Sequence, residues 1–556
     1  MQRFIKLINT EISGLHQAAF LLAFASLGAK VLAIFRDRIL ASSFGAGETL
    51  DIYYASFRLP DLLYVFSLFL VSVTALIPLI LEKREGFDSK HFINEVFTVF
   101  FAVMLFLLVV SFFILPYIAD IIAPGFSLAN KEILIKFSRI MLLSPFLLGL
   151  SNLVSSVIQS FRRFFVYSLS GILYNAGIII GLVFLYPKFG LSGIVWGVVL
   201  GAFLHFLVQV PSLMELGYLP RFTFKIHFSE IVNVVRLSFP RTLGLILNQV
   251  VLMAMTSLAS FLFAGSITIF NLASNLQSIP SGIIALSYST AAFPALASNF
   301  LKKEKKEFLF SVVSSFRHIL FWLLPITALF IVLRAQIVRV ALGAGAFNWT
   351  DTRLTAAAVA LFAFSLFAQG LVLLLVRAFY AVGKTKPPLI INIISSFFTI
   401  LLAAGFLVCF KYFPCAQAFL GRILRVEGVA GISVLLLPLA YSMGSILNFF
   451  LLFLFFEKNF GPILHYFKKS LIQIISVSVL AGTIAYFSLV VFAQFFNLST
   501  FVGIFTQGFL AGIFALAGCF FLLKFLKNKE FEEIVFSLKK RFVKKPLLDI
   551  QPEKLP

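Results

Sequence analysis

Carboxylates are scarce in this chain, 23 Asp and Glu against 45 Lys and Arg among 556 residues, and few of them fall inside its long apolar runs. Enzymes that work through paired acids or a metal cluster near a membrane surface need such groups close together. Only Asp51 and Asp61 approach that arrangement. Cysteine is rarer still. Cys409, Cys415 and Cys519 show no metal-ligand spacing, and although Cys409 and Cys415 could pair, service as small apolar residues is the simpler role. No metal site and no cofactor is expected. A small-residue cleavage site is also missing after the first apolar run, Ala18 to Phe35, which carries Lys30 and reads as a span rather than a removable leader.

What is abundant is apolar surface. The chain is 60% hydrophobic with 72 Phe and a mean hydropathy of +1.03, which excludes a soluble globular protein. Its apolar stretches are continuous over about 20 residues, so they are helices and not the alternating strands of a membrane barrel. The fold class expected is an all-α polytopic membrane protein of about 14 transmembrane helices. The runs lie near 16–36, 53–81, 93–115, 134–160, 166–186, 191–213, 231–262, 265–298, 311–333, 355–381, 387–410, 428–456, 470–494 and 503–526. The net charge of +22 does not indicate nucleic acid, because its Lys and Arg sit in short loops and the C-terminal tail. Alternate connections carry Lys83, Arg84 and Lys90; Arg162 and Arg163; Arg221 and Lys225; Lys302 to Lys306; Lys384 and Lys386; and Lys458, Lys468 and Lys469. Positive loops stay cytoplasmic, and with an even number of spans both termini are expected there too.

The chain repeats itself. Thr74-Ala75 with Pro78 closes the second run before a basic loop, and Thr290-Ala291 with Pro294 does the same for the eighth. Ser160-Phe161-Arg162 precedes a span ending near Gly190–Ile194, and Ala378-Phe379-Tyr380 precedes one ending near Gly428–Ile432. Six helices separate the members of each pair. Two parallel six-helix repeats around a central cavity follow, 1–215 and 216–460, with two further helices in 461–526 and a basic cytoplasmic tail in 527–556. Gly193, Gly197 and Gly201 form a stripe suited to close helix packing. In the tail, Phe531, Ile534, Leu538 and Phe542 share one face among lysines, the pattern of a helix lying on headgroups, or else of a solvated basic tail.

Against this background Lys30, Arg36, Arg58, Arg236, Arg241 and Arg377 stand out, inside or at the ends of apolar runs. A cation near the bilayer centre costs about 2.5–3.5 kcal/mol, so it persists where it faces water or neutralises an anion. With few acids to pair with, these charges point to an anionic ligand. Lys30 and Arg36 also have Asp37 and Asp51 as candidate partners, Arg58 has Asp61 or Asp51, and Arg241 could simply end a helix. Arg377 lies beside a basic loop, where a structural or headgroup contact suits it better than substrate. Asn275 and Gln277 are suited to hydrogen bonds between helices, and His205 to a satisfied core position.

The stretch from Lys30 through Arg36-Asp37, Ala41, Phe44-Gly45-Ala46 and Asp51 to Phe57-Arg58-Leu59-Pro60 resembles the opening of the MurJ/MviN lipid II flippases, of the multidrug/oligosaccharidyl-lipid/polysaccharide exporter superfamily. Gly345-Ala346-Phe347, then Arg377-Ala378-Phe379-Tyr380-Ala381 and Thr385-Lys386-Pro387, resemble the family's second-half signature. The resemblance implies a flippase that moves an undecaprenyl-pyrophosphate-linked peptidoglycan precursor across the bacterial inner membrane, not an enzyme. It implies pyrophosphate binding in a cationic central cavity, for which Lys30, Arg36, Arg58 and Arg241 are the candidates here. Asp37, Asp51, Asn275 and Arg377 are supporting polar positions. The last two spans would help form a groove for the lipid tail. Partners implied are the lipid-linked glycan, membrane lipids and cell-wall synthesis proteins.

Some family positions differ. Tyr64-Val65 stand where the family has two arginines, Ser274-Asn275 replace an Asp-Arg pair, and Met255 replaces an acid. The runs 387–410 and 428–456 hold no carboxylate. These departures leave open a flippase for another polyprenyl-pyrophosphate-linked glycan, or a non-transporting cell-wall scaffold. They also weaken any sodium site of the family's kind.

Overall fold

The computed structural model describes residues 15–84, 89–161 and 163–542. Arg162 and the tail beyond Phe542 therefore lie outside the described residues, as do the side chains of Arg84, Leu538 and Phe542. Every described element is helical, the outcome expected when lipid leaves no water to satisfy backbone groups. Among the described residues, twelve helices are long and apolar enough to cross a membrane, and the pair Trp349–Ala363 and Leu366–Ala381, bent by 43°, makes a thirteenth if it is one span. The expected run at 16–36 falls in the helix Leu15–Phe44. Lys30, Arg36, Asp37 and Arg38 fall in its second half.

Two compact units divide the chain, residues 1–271 with 342–351, and residues 272–341 with 352–556. The first is built on the helices Leu15–Phe44, Glu48–Lys83, Ser89–Ile122, Leu128–Ser160, Phe164–Phe189, Leu191–Leu216 and Phe228–Ser260. Its core joins Leu76, Phe92, Phe100, Met104, Leu153 and Val157. Glu48–Lys83 is interrupted twice, at Phe57 and at Ser72, whose ψ of 117° is extended. Pro60 sits in the first turn of the middle piece, where a proline removes no helical bond. The glycine stripe packs as expected. A Cβ on Gly197 would stand 2.6 Å from the Cα of Gly181, and one on Gly201 would meet the backbone of Tyr174, so two helices touch backbone to backbone.

The second unit packs around phenylalanine. Phe308, Phe316, Phe379, Phe456, Phe460 and Phe467 are buried in one cluster, with the rings of Phe316 and Phe467 4.7 Å apart. The C-terminal helix Lys529–Phe542 packs its first turns on the protein. Phe531 and Ile534 pack on Phe321, Cys519 and Leu523. Its Glu530, fully buried, accepts from Arg317 and from Ser470 (2.6 Å). Burying an acid is tolerable when it is paired and hydrogen-bonded in this way. All three cysteines are free thiols.

Candidate functional site

Four polar constellations occupy the apolar helices of the first unit. On Leu15–Phe44, the Arg36 guanidinium donates to the adjacent Asp37 through Nε (2.9 Å) and Nη2 (2.7 Å), and through Nη1 to Asn175 Oδ1 (3.0 Å). Asn175 is held by its own bonds to Gly171 O (3.1 Å) and Ala29 O (3.4 Å). Arg36 is thus paired with Asp37. Lys30 is half-buried and makes no hydrogen bond or ion pair among the described residues.

Asp51 serves the backbone. Its carboxylate accepts from Gly265 N, Thr268 N and Thr268 Oγ1, each at 2.7 Å. These donors open the helix Ser266–Pro280, whose first turn has no carbonyl to receive them. A carboxylate there also meets the positive end of the helix dipole. Asp51 is thereby committed, and it is neither a partner for Arg36 nor a free acid.

Arg58 is buried at 5% exposure, yet its partners are neutral. Nε donates to Thr256 Oγ1 (2.7 Å) and Nη2 to Asn271 Oδ1 (2.6 Å). Both acceptors are oriented from behind, since Thr256 donates to Leu252 O and Asn271 to Ile267 O. Asp61, one turn on, is within reach of its charge but not in an ion pair. Arg241 lies inside the helix Phe228–Ser260, roughly 20 Å from its start at 1.5 Å per residue. It therefore does not end that helix. Its side chain is exposed and donates to Thr74 Oγ1 (2.6 Å). Tyrosines missed in the sequence lie near these groups. Tyr53 and Tyr54 lie in the field of Arg36, Tyr174 in that of Arg36 and Asp61, and Tyr64 in that of Asp61 and Arg241. Aromatic residues at helical spacing look like core, so nothing in their pattern singles them out.

The motif glycines form a separate cluster in the same unit. Gly45 and Gly345 have φ of +64° and +57°. A Cβ on Gly45 would lie 2.8 Å from Ala346 O, and one on Gly345 would meet Ser42 O. Ala346 N donates to Ser42 O (2.8 Å), and Ala46 N to Asp351 Oδ2 (3.2 Å). Asp351 also exchanges bonds with Asn348. Sequence reasoning missed Asp351, although it follows Gly345-Ala346 at the spacing by which Asp51 follows Gly45-Ala46.

The remaining candidates belong to the second unit. Asn275 is exposed, and its carbonyl accepts from Ser278. Arg377 donates to Thr290 Oγ1 and to Leu286 O (3.4 Å), holding two of that unit's helices together. In the first unit, His205 Nδ1 is bonded to Ser151 Oγ (2.7 Å), as a core histidine should be. Glu457, just beyond the run 428–456, lies in the last turns of Leu436–Phe460 and accepts from Ile463 N and Leu464 N.

Known proteins share this fold and sequence. A family model described as lipid II flippase MurJ matches residues 40–506. Two proteins of Buchnera aphidicola, each described as "Probable lipid II flippase MurJ", are similar to the chain. That of the Schizaphis graminum subspecies is 28% identical over 437 residues, 77% of this chain and 80% of its own. That of the Acyrthosiphon pisum subspecies is 30% identical over 385 residues, 68% of this chain and 74% of its own. A solved structure described as lipid II flippase MurJ in an inward closed conformation superposes with a TM-score of 0.71 at 24% identity, covering 91% of this chain and 99% of that one.

Proposed function

The chain belongs to the MurJ family of lipid II flippases, and from that membership we propose that it carries lipid II, the undecaprenyl-pyrophosphate-linked peptidoglycan precursor, from the inner to the outer leaflet by alternating access. It is a multi-pass membrane protein of a transporter family, not an enzyme. Lys30, Arg58 and Arg241 carry the reading. These three cations stand in or beside apolar helices, and none has an ion-pair partner among the described residues. Such charges are costly unless an anion or water meets them. A pyrophosphate supplies that anion, and the oriented oxygens of Thr256 and Asn271 keep Arg58 in place while it is away. Arg36, whose three guanidinium nitrogens already donate to Asp37 and Asn175, contributes less net charge. Several moderate contacts suit a carrier better than one tight clamp, because the ligand must leave on the far side. Both termini are assigned to the cytoplasm, and cell-wall synthesis proteins are the proposed partners at the membrane.

The test is complementation in bacteria depleted of their own lipid II flippase, at matched membrane expression, with the wild type, Arg58→Gln and Arg36→Ala. Rescue by the wild type and its loss in Arg58→Gln is the expected result. If a well-expressed wild type does not rescue, the reading passes to another polyprenyl-pyrophosphate-linked glycan, which Tyr64 and Val65 favour where the family has arginines, or to a non-transporting cell-wall scaffold.

A further inference from the structure

At the opposite extreme from the basic cluster in chemistry, two imidazoles converge on one buried acid. His91 and Glu95 stand one turn apart on the same face of the helix Ser89–Ile122, and His227 is the residue that precedes the helix Phe228–Ser260. Glu95 is 1% exposed. Its Oε1 lies 3.0 Å from His91 Nε2 and 2.5 Å from His227 Nδ1, and His227 N donates to the same oxygen at 3.3 Å. The ligand atoms of all three side chains fall within 4.8 Å of one another. The two rings meet edge to face at 5.7 Å.

We propose that His91, Glu95 and His227 form a binding site for a late first-row divalent cation, zinc above all. Two imidazole nitrogens and one carboxylate oxygen are the donor types zinc takes, and three protein ligands leave a fourth position for water. The spacing is close to what the ion requires. Ligand distances of about 2.0–2.1 Å in a tetrahedral site put neighbouring donors about 3.3 Å apart. His91 and Glu95 are within a few tenths of an ångström of that, and His227 must retreat by less than about 1 Å. His227 is free to do so, being 66% exposed and borne on the connection 217–227 rather than within a helix. Glu95 supplies the negative charge that a cation needs among the local Lys83 and Lys90, of which Lys83 is already paired with Glu230 (2.8 Å) and Lys90 lies over the Tyr218 ring. Calcium and magnesium are not expected, since they prefer oxygen donors. Zinc at this position would tie the connection between the helices Leu191–Leu216 and Phe228–Ser260 to the start of Ser89–Ile122. The 132 residues separating His227 from Glu95 explain why no spacing in the sequence announces the site.

The experiment uses the full chain, purified in detergent, treated with chelator and dialysed against zinc, with bound metal counted by mass spectrometry. Wild type, His227→Gln, Glu95→Gln and the control His465→Gln are compared. The expected result is one zinc per wild-type and control chain, with affinity at least about tenfold lower in His227→Gln, since even the loss of an outer-shell partner costs about 10–100-fold. Because His227 is exposed, its replacement leaves the fold intact, and a monodisperse elution profile verifies this. Cobalt loading gives a second readout, an intense visible absorption in the wild type that is lost in Glu95→Gln. Zinc stoichiometry unchanged by His227→Gln and Glu95→Gln, or no zinc retained by the wild type, overturns the proposal.

Discussion

The two units answer the same problem, how to keep arginines among apolar helices, in opposite ways. Each contains a threonine that closes a span before a basic loop, and each threonine receives an arginine, Thr74 from Arg241 and Thr290 from Arg377. There the likeness stops. The first unit threads Arg36, Asp37, Asp51, Arg58 and Asp61 through buried or half-buried positions and surrounds them with tyrosines and amides. The second gathers phenylalanines instead, and its buried ion pair, Arg317 with Glu530, lies where the docked C-terminal helix covers it. Polar side chains are thus distributed unequally, with hydrogen-bonded charges threaded through one unit and aromatic packing dominant in the other.

Several changes would break or sharpen that contrast. The largest effect is expected for Asp51→Ala, which strands three donors at the start of a helix. Hydrogen bonds to a charged group contribute about 1.5–3 kcal/mol each, so thermal unfolding in detergent should show a loss of at least about 3 kcal/mol. An unchanged unfolding midpoint would mean that Asp51 is not a cap. Next comes Gly197→Leu, which forces apart the helices that meet at Gly181 and should lower the yield of folded protein more than Gly405→Leu, where nothing lies within 4 Å. Arg58→Gln and Arg377→Gln then set the units against each other. Transport should fall at least about tenfold in the first, whereas the second should lose about 1 kcal/mol of stability and keep most of its transport. Equal effects on transport would remove the distinction. The docked tail gives a pH test. Burial alone would raise the Glu530 carboxyl, but bonds from Arg317 and Ser470 outweigh it and hold it below the ordinary range. Glu533 is lowered in the same way by its bond to His318. A depressed carboxylate stabilises docking fully above its unfolded value of about 4.3 and ceases to do so as pH falls through the folded value. Protease cleavage within Lys529–Phe542 should therefore rise as pH falls below about 4.3, whereas Glu530→Gln should be cleaved readily already at neutral pH. The smallest effect is expected from Lys30→Arg, which keeps the charge and adds a fork, with a stability change under about 1 kcal/mol.

Much of this molecule is legible in its residues, and what is legible has a common origin. Apolar length declares spans, loop charge suggests their orientation, and the motifs around Arg36 and Arg377 declare the family. All of these are local properties. Arg58 was visible as an anomaly, but Thr256 and Asn271, which orient it, are ordinary residues whose meaning depends on contacts across 198 and 213 positions. The role of Asp51 was hidden for the same reason, since the helix it caps begins more than two hundred residues later. The docking of Phe531 and Ile534 was not legible in the tail, because an amphipathic face reads alike whether it covers lipid or protein. Glu530 and Glu533, which pair with Arg317 and His318, lie on the docked side of that helix.

Residues 342–351 belong to the first compact unit although residues on both sides of them belong to the second. Ala346 and Asp351 give that unit its bonds to Ser42 and Ala46. During synthesis, then, the N-terminal unit is still missing a piece when its last helix has been made. Roughly 80 further residues must emerge, a delay of roughly 4–16 s at about 5–20 residues per second. Through that interval the backbone around Gly45 waits for its partner, so the stretch that holds the family's most recognisable motif is also the last part of its unit to be finished.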